Sequence, residues 1–259
     1  MPRHRSPSPA ASAGPHPQPA LLSGAAVNAR PAALVFRVLA AVLILTGILR
    51  YAGIAFGDPD ASTLLFYTML SNLLCLGWML LLIVRTARDL RHDGPRGTST
   101  AGARWGGAVM MAITVTMLIY LIVLVPTRVD AGDSDIFSLT DNLIHIVTPC
   151  LLIVDWLLFV AKGSFRWFDP LLWTLIPYAY LTFAFVYGGL GGEFTPGEKY
   201  PYPFMNLETL GLDGVTLWIV ALTAALVAVG FVYVAVDRAL GTIVHRTASR
   251  HQVAPSSSR

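Results

Sequence analysis

Trp105–Thr127 reads WGGAVMMAITVTMLIYLIVLVPT, 23 residues without an Asp, Glu, Lys or Arg. At 1.5 Å of rise each, about 20 apolar residues carry a helix across the ~30 Å hydrocarbon core of a bilayer. Three other stretches share this property: Ala61–Val84 over 24 residues, and Pro170–Gly192 and Gly214–Val236 over 23 each. Two more apolar runs are interrupted by charge, one holding Arg37 and Arg50 and the other Asp155. The pattern predicts an all-α polytopic membrane protein with six transmembrane helices, near 33–56, 62–84, 105–126, 142–161, 170–188 and 215–236. Lipid admits only helices or closed barrels, and these continuous runs lack the ~10-residue alternating strands of a barrel.

Composition narrows the function classes. Of the 259 residues, 55% are hydrophobic and 13% charged, about half the roughly 25% charge of soluble domains. A soluble enzyme, a disulfide scaffold and a nucleic-acid-binding domain are excluded. Cys75 and Cys150 lie in apolar runs without C-x-x-C spacing and read as small core residues. Residues 1–30, with six prolines, three arginines and no acid, read as a disordered cytoplasmic tail ahead of an uncleaved first helix. Residues 31–238 form the transmembrane domain, and 239–259 a polar, basic cytoplasmic tail.

Loop charge sets the expected orientation. Fourteen basic residues fall on the side of the termini, the second-to-third loop and the fourth-to-fifth loop. The other side holds only Arg128 and Lys199, with ten acids from Asp58 to Asp213. Both termini are therefore expected to face the cytoplasm, in a multi-pass protein of the cell membrane. The outer loop near 188–214 carries Tyr200-Pro201-Tyr202-Pro203-Phe204, which reads as an interfacial belt, a rigid loop or a lid.

Polar residues in the spans are the place to seek function. Thr68, Ser71, Asn72 and Cys75 fall within about a 100° stripe of the second helix. Close packing of small residues accounts for such a stripe as readily as a site does. On the fourth helix, Asn142, His145, Thr148 and Asp155 span an arc of about 140°. Of six histidines only His145 lies in a span, which disfavours bis-histidine haem and multi-histidine metal sites, and no cofactor is implied.

Thr68, His145 and Arg50 lie about four to six residues, ~6–9 Å, inside the expected outer ends of their helices. If those helices are neighbours, the three side chains can meet. A neutral imidazole can then activate the hydroxyl, and the guanidinium can hold a lipid carboxylate or a developing oxyanion. Arg50 could equally snorkel to the headgroups or pair with Asp58 or Asp60. Asp155 is open to three readings: protonated, paired with Arg37, or part of a proton path.

Thr68-Met69-Leu70-Ser71-Asn72, Asp141-Asn142-Leu143-Ile144-His145, Asp155-Trp156 and Tyr200-Pro201-Tyr202-Pro203-Phe204 together resemble a bacterial membrane-protein family labelled Pr-six-Pr, over about residues 33–236. That family is distantly similar to the eukaryotic androgen-induced membrane hydrolases, six-helix enzymes that cleave fatty acid esters of hydroxy fatty acids with a threonine and a histidine. The resemblance implies catalytic roles for Thr68 and His145, while Ser71-Asn72 departs from the eukaryotic pattern. The expected function is intramembrane hydrolysis of a lipid ester drawn from the surrounding membrane lipids, with Asn72, Asn142, Arg50 and Ser71 binding or orienting. The alternative is a non-catalytic transporter, sensor or accessory subunit that binds a small or lipidic ligand.

Overall fold

The structure is a computed structural model that describes residues 22–23, 26–133 and 135–253, with side chains over 26–133 and 135–243. The tail read over 1–30 lies mostly outside the described residues, as does the chain end after 253. Among the described residues, six helices are long and apolar enough to cross a membrane: α1 Arg30–Tyr51, α2 Tyr67–His92, α3 Ala103–Asp130, α4 Leu139–Phe159, α5 Asp169–Gly189 and α6 Leu207–Ile243. Six crossings return the chain to the end of the bundle where it began. Large apolar side chains such as Val35, Leu39, Leu80, Leu217 and Val220 point outward, the surface of a protein whose solvent is lipid. This is an integral membrane protein.

The helix boundaries follow local chemistry. Pro31 opens α1, where its missing N–H costs nothing. The second helix starts at Tyr67, five residues later than the hydropathy suggests. Ala61–Leu65 instead form a 3₁₀ turn, capped by the Asp60 carboxylate on the Ser62 N–H, and Phe66 is extended. Thr68 is therefore the second residue of α2 rather than a residue one and a half turns inside it. The last helix starts at Leu207 and continues to Val253, past the boundary expected at 238. It kinks at Gly211, whose φ of 63° is left-handed and suits glycine.

Two helices change pitch in mid-course. Tyr120–Leu124 of α3 and Leu143–Val147 of α4 form π-helical turns. Each runs into a proline, Pro126 or Pro149, which cannot donate to the carbonyl four residues back. The amides of Val125 and Thr148 reach back five residues, to Tyr120 and Leu143. The Thr148 hydroxyl adds a 2.9 Å bond to the Leu143 carbonyl.

Helices α1 to α4 form the compact part of the molecule, with α3 at its centre. The buried share of the crossing segment is 61% in α3 and 22% in α5 and α6, so the last two lie along one flank. At Gly47 on α1 an added Cβ would come within 3.1 Å of Leu143 and Ile144 on α4, a close approach that only a small residue allows. Cys75 is fully buried as expected. Cys150 is exposed on the outward face of α4, not in the core, because the π turn resets the helix's rotation just before it.

Charge is buried at the end that holds the termini. Arg37 and Asp155, with side chains 0% and 4% exposed, pair at 2.7 Å. Arg37 also donates to the Thr86 hydroxyl and the Ser99 carbonyl. Of the three readings open for Asp155, the geometry supports pairing. Nearby, the Lys162 ammonium donates to the Trp156 and Val160 carbonyls, and the Asp237 carboxylate accepts from the amides of Gly163 and Phe165. Removing one partner of a buried ion pair strands the other charge, so Asp155→Ala is expected to cost about 3–5 kcal/mol. The double variant Arg37→Met/Asp155→Leu should recover most of that loss, as read by thermal denaturation in detergent.

Burial pushes the Lys162 pKa down from 10.5 to about 8. The unfolded chain thus binds more protons than the folded one at pH 8 and above, and stability rises with pH there. The melting temperature should climb between pH 7.5 and pH 9, and Lys162→Met should flatten that climb.

Candidate functional site

At the opposite end of the bundle, the start of α2 meets the π turn of α4. The Thr68 hydroxyl oxygen lies 3.5 Å from His145 Nε2, with Thr68 5% and His145 5% exposed. This is the outer limit of a hydrogen bond, and such pairs often tighten only around a substrate. The other ring nitrogen, Nδ1, is 3.2 Å from the backbone carbonyl of Asp141. A carbonyl can only accept, so Nδ1 carries the proton and Nε2 presents a lone pair to Thr68.

The histidine is fixed from several directions. Tyr120, from the π turn of α3, stacks on the imidazole at 4.1 Å with the planes 6° apart. The two π turns thus place their aromatic faces against each other. The Tyr120 hydroxyl donates to the Ile136 carbonyl. Beneath the ring, the Asp141 carboxylate is held by Arg128 at 3.1 Å and by Ser138 at 2.9 Å. Its nearer oxygen lies 3.8 Å from Nδ1.

Around Thr68 the short polar side chains act on the backbone. Ser71 donates to the Thr68 carbonyl at 3.1 Å or bonds Thr116 at 2.7 Å. Asn72, fully buried, donates to the carbonyls of Thr68 at 2.8 Å and Ile144 at 3.1 Å, tying α2 to α4 beside His145. Its Oδ1 is buried without a partner. Arg50 and Asn142 do not join the pair. Arg50 bonds Thr140 at 3.1 Å and lies over the Phe56 ring at 4.8 Å. Its α1 ends at Tyr51, five residues short of the expected boundary, so Arg50 lies in the last turn, where it meets the start of α4 instead of the dyad. The Asn142 amide donates to the Phe137 carbonyl and closes the loop that enters α4. Asp155 lies at the other end of the bundle, with Arg37.

The loop between α5 and α6 packs against Phe66, at the start of α2. Phe194, Tyr202, Phe204 and Met205 are buried in it. Tyr202 stacks on Phe204 at 5.6 Å and packs edge-on against Phe66 at 6.4 Å. Its ring also packs against Tyr180 at 6.4 Å. Burial raises the Tyr202 pKa above its ordinary value, so the phenol stays neutral. A groove of about 580 Å³, counting its open mouth, runs beside this point between α5, α6 and α3. It is lined by Tyr67, Val115, Tyr180, Tyr202, Phe204 and Leu226 among others. Among the described residues, no cluster of three His, Cys, Asp or Glu could hold a metal.

Tyr120 and Tyr202 were not legible as site residues. Tyr120 sits in an uninterrupted apolar run, where the following Val125-Pro126 was its one signal. Compared with protein-family models, curated proteins and solved structures, the chain matches none.

Asn72 and Asn142 should separate by stability. Asn72→Ala breaks two buried bonds and should cost about 1–3 kcal/mol, whereas Asn142→Ala loses one partly wet bond and should cost under about 1 kcal/mol. Thermal denaturation of the two variants checks this.

Proposed function

We propose that this membrane protein is an intramembrane hydrolase of lipid esters, with Thr68 as nucleophile and His145 as base. One observation carries the reading: a buried hydroxyl faces the unprotonated nitrogen of an imidazole whose other nitrogen is bonded to a carbonyl. That is the base-and-orienter arrangement of hydroxyl nucleophiles on unrelated folds. The reading agrees with the resemblance to the Pr-six-Pr family and the androgen-induced membrane hydrolases. Loop charge supports cytoplasmic termini, with the Thr68 end in the outer leaflet of the cell membrane.

The chemistry is a two-step acyl transfer. As the Thr68 oxygen bonds to the ester carbonyl carbon, its proton passes to His145 Nε2 and the carbonyl π pair moves onto oxygen. Collapse breaks the bond to the alcohol oxygen, which takes the proton from Nε2. Water, deprotonated by the same nitrogen, then attacks the acyl-threonine; the acyl–oxygen bond breaks, the Thr68 oxygen takes the proton back from Nε2, and a carboxylic acid leaves. Ser71 and Asn72 hold the first turn of α2 by its carbonyls, and Tyr120 fixes the plane of the imidazole. The apolar groove between α5 and α6 offers an acyl chain a lateral way in from lipid.

A fluorophosphonate probe applied to detergent-purified protein should label the wild type. Thr68→Ala and His145→Ala should each lose labelling by at least about 100-fold with the melting temperature little changed, the scale at which such dyads contribute. Equal labelling of all three proteins, or unfolding of both variants, would leave Thr68 and His145 as packing residues.

A further inference from the structure

Ser138-Leu139-Thr140-Asp141 opens α4 with the spacing of a capping box, which ties the first and fourth residues of a helix start together. The Ser138 hydroxyl accepts from the Asp141 amide at 3.1 Å and donates to Asp141 Oδ2 at 2.9 Å. Arg128, in the last turn of α3, donates to the same Oδ2 at 3.1 Å. With both of these partners on Oδ2, the other carboxylate oxygen is turned to the base: Oδ1 lies 3.8 Å from His145 Nδ1. Arg128 is balanced in turn by Asp133, whose Oδ2 accepts from its Nε at 2.8 Å. Two anions and one cation leave this group, beneath the imidazole, with a net negative charge.

We infer that Asp141 is a positioning residue whose carboxylate balances the positive charge that forms on His145 during acyl transfer. The inference rests on the hydrolase reading and extends it from the dyad to the ionic groups beneath it. As Thr68 attacks, its proton passes to Nε2, and the ring becomes a cation protonated on both nitrogens. That cation forms on a side chain 7% exposed, in a helix that crosses the membrane, where an unbalanced charge is costly. The Asp141 carbonyl fixes the tautomer but offers only a dipole. The carboxylate supplies the full counter-charge and stays ionised throughout. No proton moves to Asp141: the one on Nε2 leaves with the alcohol oxygen as the ester bond breaks. Arg128 and Ser138 hold the carboxylate in place before substrate arrives, so the counter-charge needs no reorganisation during the reaction.

Asp141→Asn keeps an acceptor for the cap and removes the charge. With 4-nitrophenyl octanoate and the detergent-purified protein, kcat should fall about 100-fold, with KM and the melting temperature little changed. The loss is smaller than the ~10⁴-fold expected where such a residue also sets the tautomer, because here the backbone carbonyl of residue 141 does that. Asp141→Glu keeps both cap and charge and should recover kcat to about a tenth of wild type or better. Asp133→Asn alters neither the cap nor a group in contact with His145, but it leaves Arg128 unbalanced. Its kcat should fall about threefold, a small effect because that pair is partly screened by water. Asp130→Asn neutralises an exposed acid at the end of α3 and should leave kcat unchanged. Wild-type kcat in Asp141→Asn would overturn the inference. A loss that Asp141→Glu does not recover, with Asp133→Asn at wild type, would also overturn it and leave Asp141 as a helix cap alone. If Asp141→Asn does not fold, Asp133→Asn decides: slower supports the inference and unchanged overturns it. Absence of both turnover and fluorophosphonate labelling in wild type would overturn the hydrolase reading itself, a separate result, since every other outcome compares variants with an active wild type.

Discussion

Within a bilayer no water is available to satisfy a backbone group, so each missing amide must be answered by the protein. Pro126 and Pro149 each remove one amide from a helix that crosses the membrane. The helix absorbs the loss by widening to a π turn on the N-terminal side of each proline. Widening adds a residue to the turn and changes which side chains face the neighbouring helix. It sets Tyr120 flat against His145 and leaves His145 Nδ1 on the Asp141 carbonyl. The tautomer, the ring plane and the direction of Nε2 all follow from how two helices accommodate two prolines.

The two ends of the bundle use polarity differently. Near the termini, charges are paired: Arg37 with Asp155 in full burial, and the buried Asp169 with the half-exposed Arg104 at 2.5 Å. Such pairs bring little net stability, because desolvation offsets attraction, but a broken pair is costly, and this fixes helix register. At the other end the buried polar groups are neutral: Thr68, Ser71, Asn72, His145 and the phenols of Tyr67, Tyr180 and Tyr202. Neutral donors and acceptors can exchange partners at little cost, unlike the paired charges at the other end.

Much of the fold was legible because charge-free length is a direct consequence of bilayer thickness. The ends of helices were less so. Ala61–Leu65 are apolar enough to join α2, yet the Asp60 cap turns them into a 3₁₀ segment, a preference set by one side chain and invisible to hydropathy. This moved Thr68 from an interior position to the first turn, where backbone amides are available. The meeting of Thr68 with His145 was anticipated from depth, and it survived because both residues lie near the same end of adjacent helices. Arg50 failed the same depth argument, since α1 ends one residue after it and its guanidinium meets Thr140 instead of the dyad. Tyr202 lies in a loop whose aromatics and prolines suit several roles, and its burial against Phe66 and Phe204 emerges only from tertiary packing.

The most direct test of Thr68 as the nucleophile is the location of the adduct left by a fluorophosphonate, read by tandem mass spectrometry of the labelled, proteolysed protein. A phosphonyl group on the Thr68 oxygen is the expected result. An adduct on Ser71, Tyr202 or any other side chain, with Thr68 recovered unmodified, would contradict it.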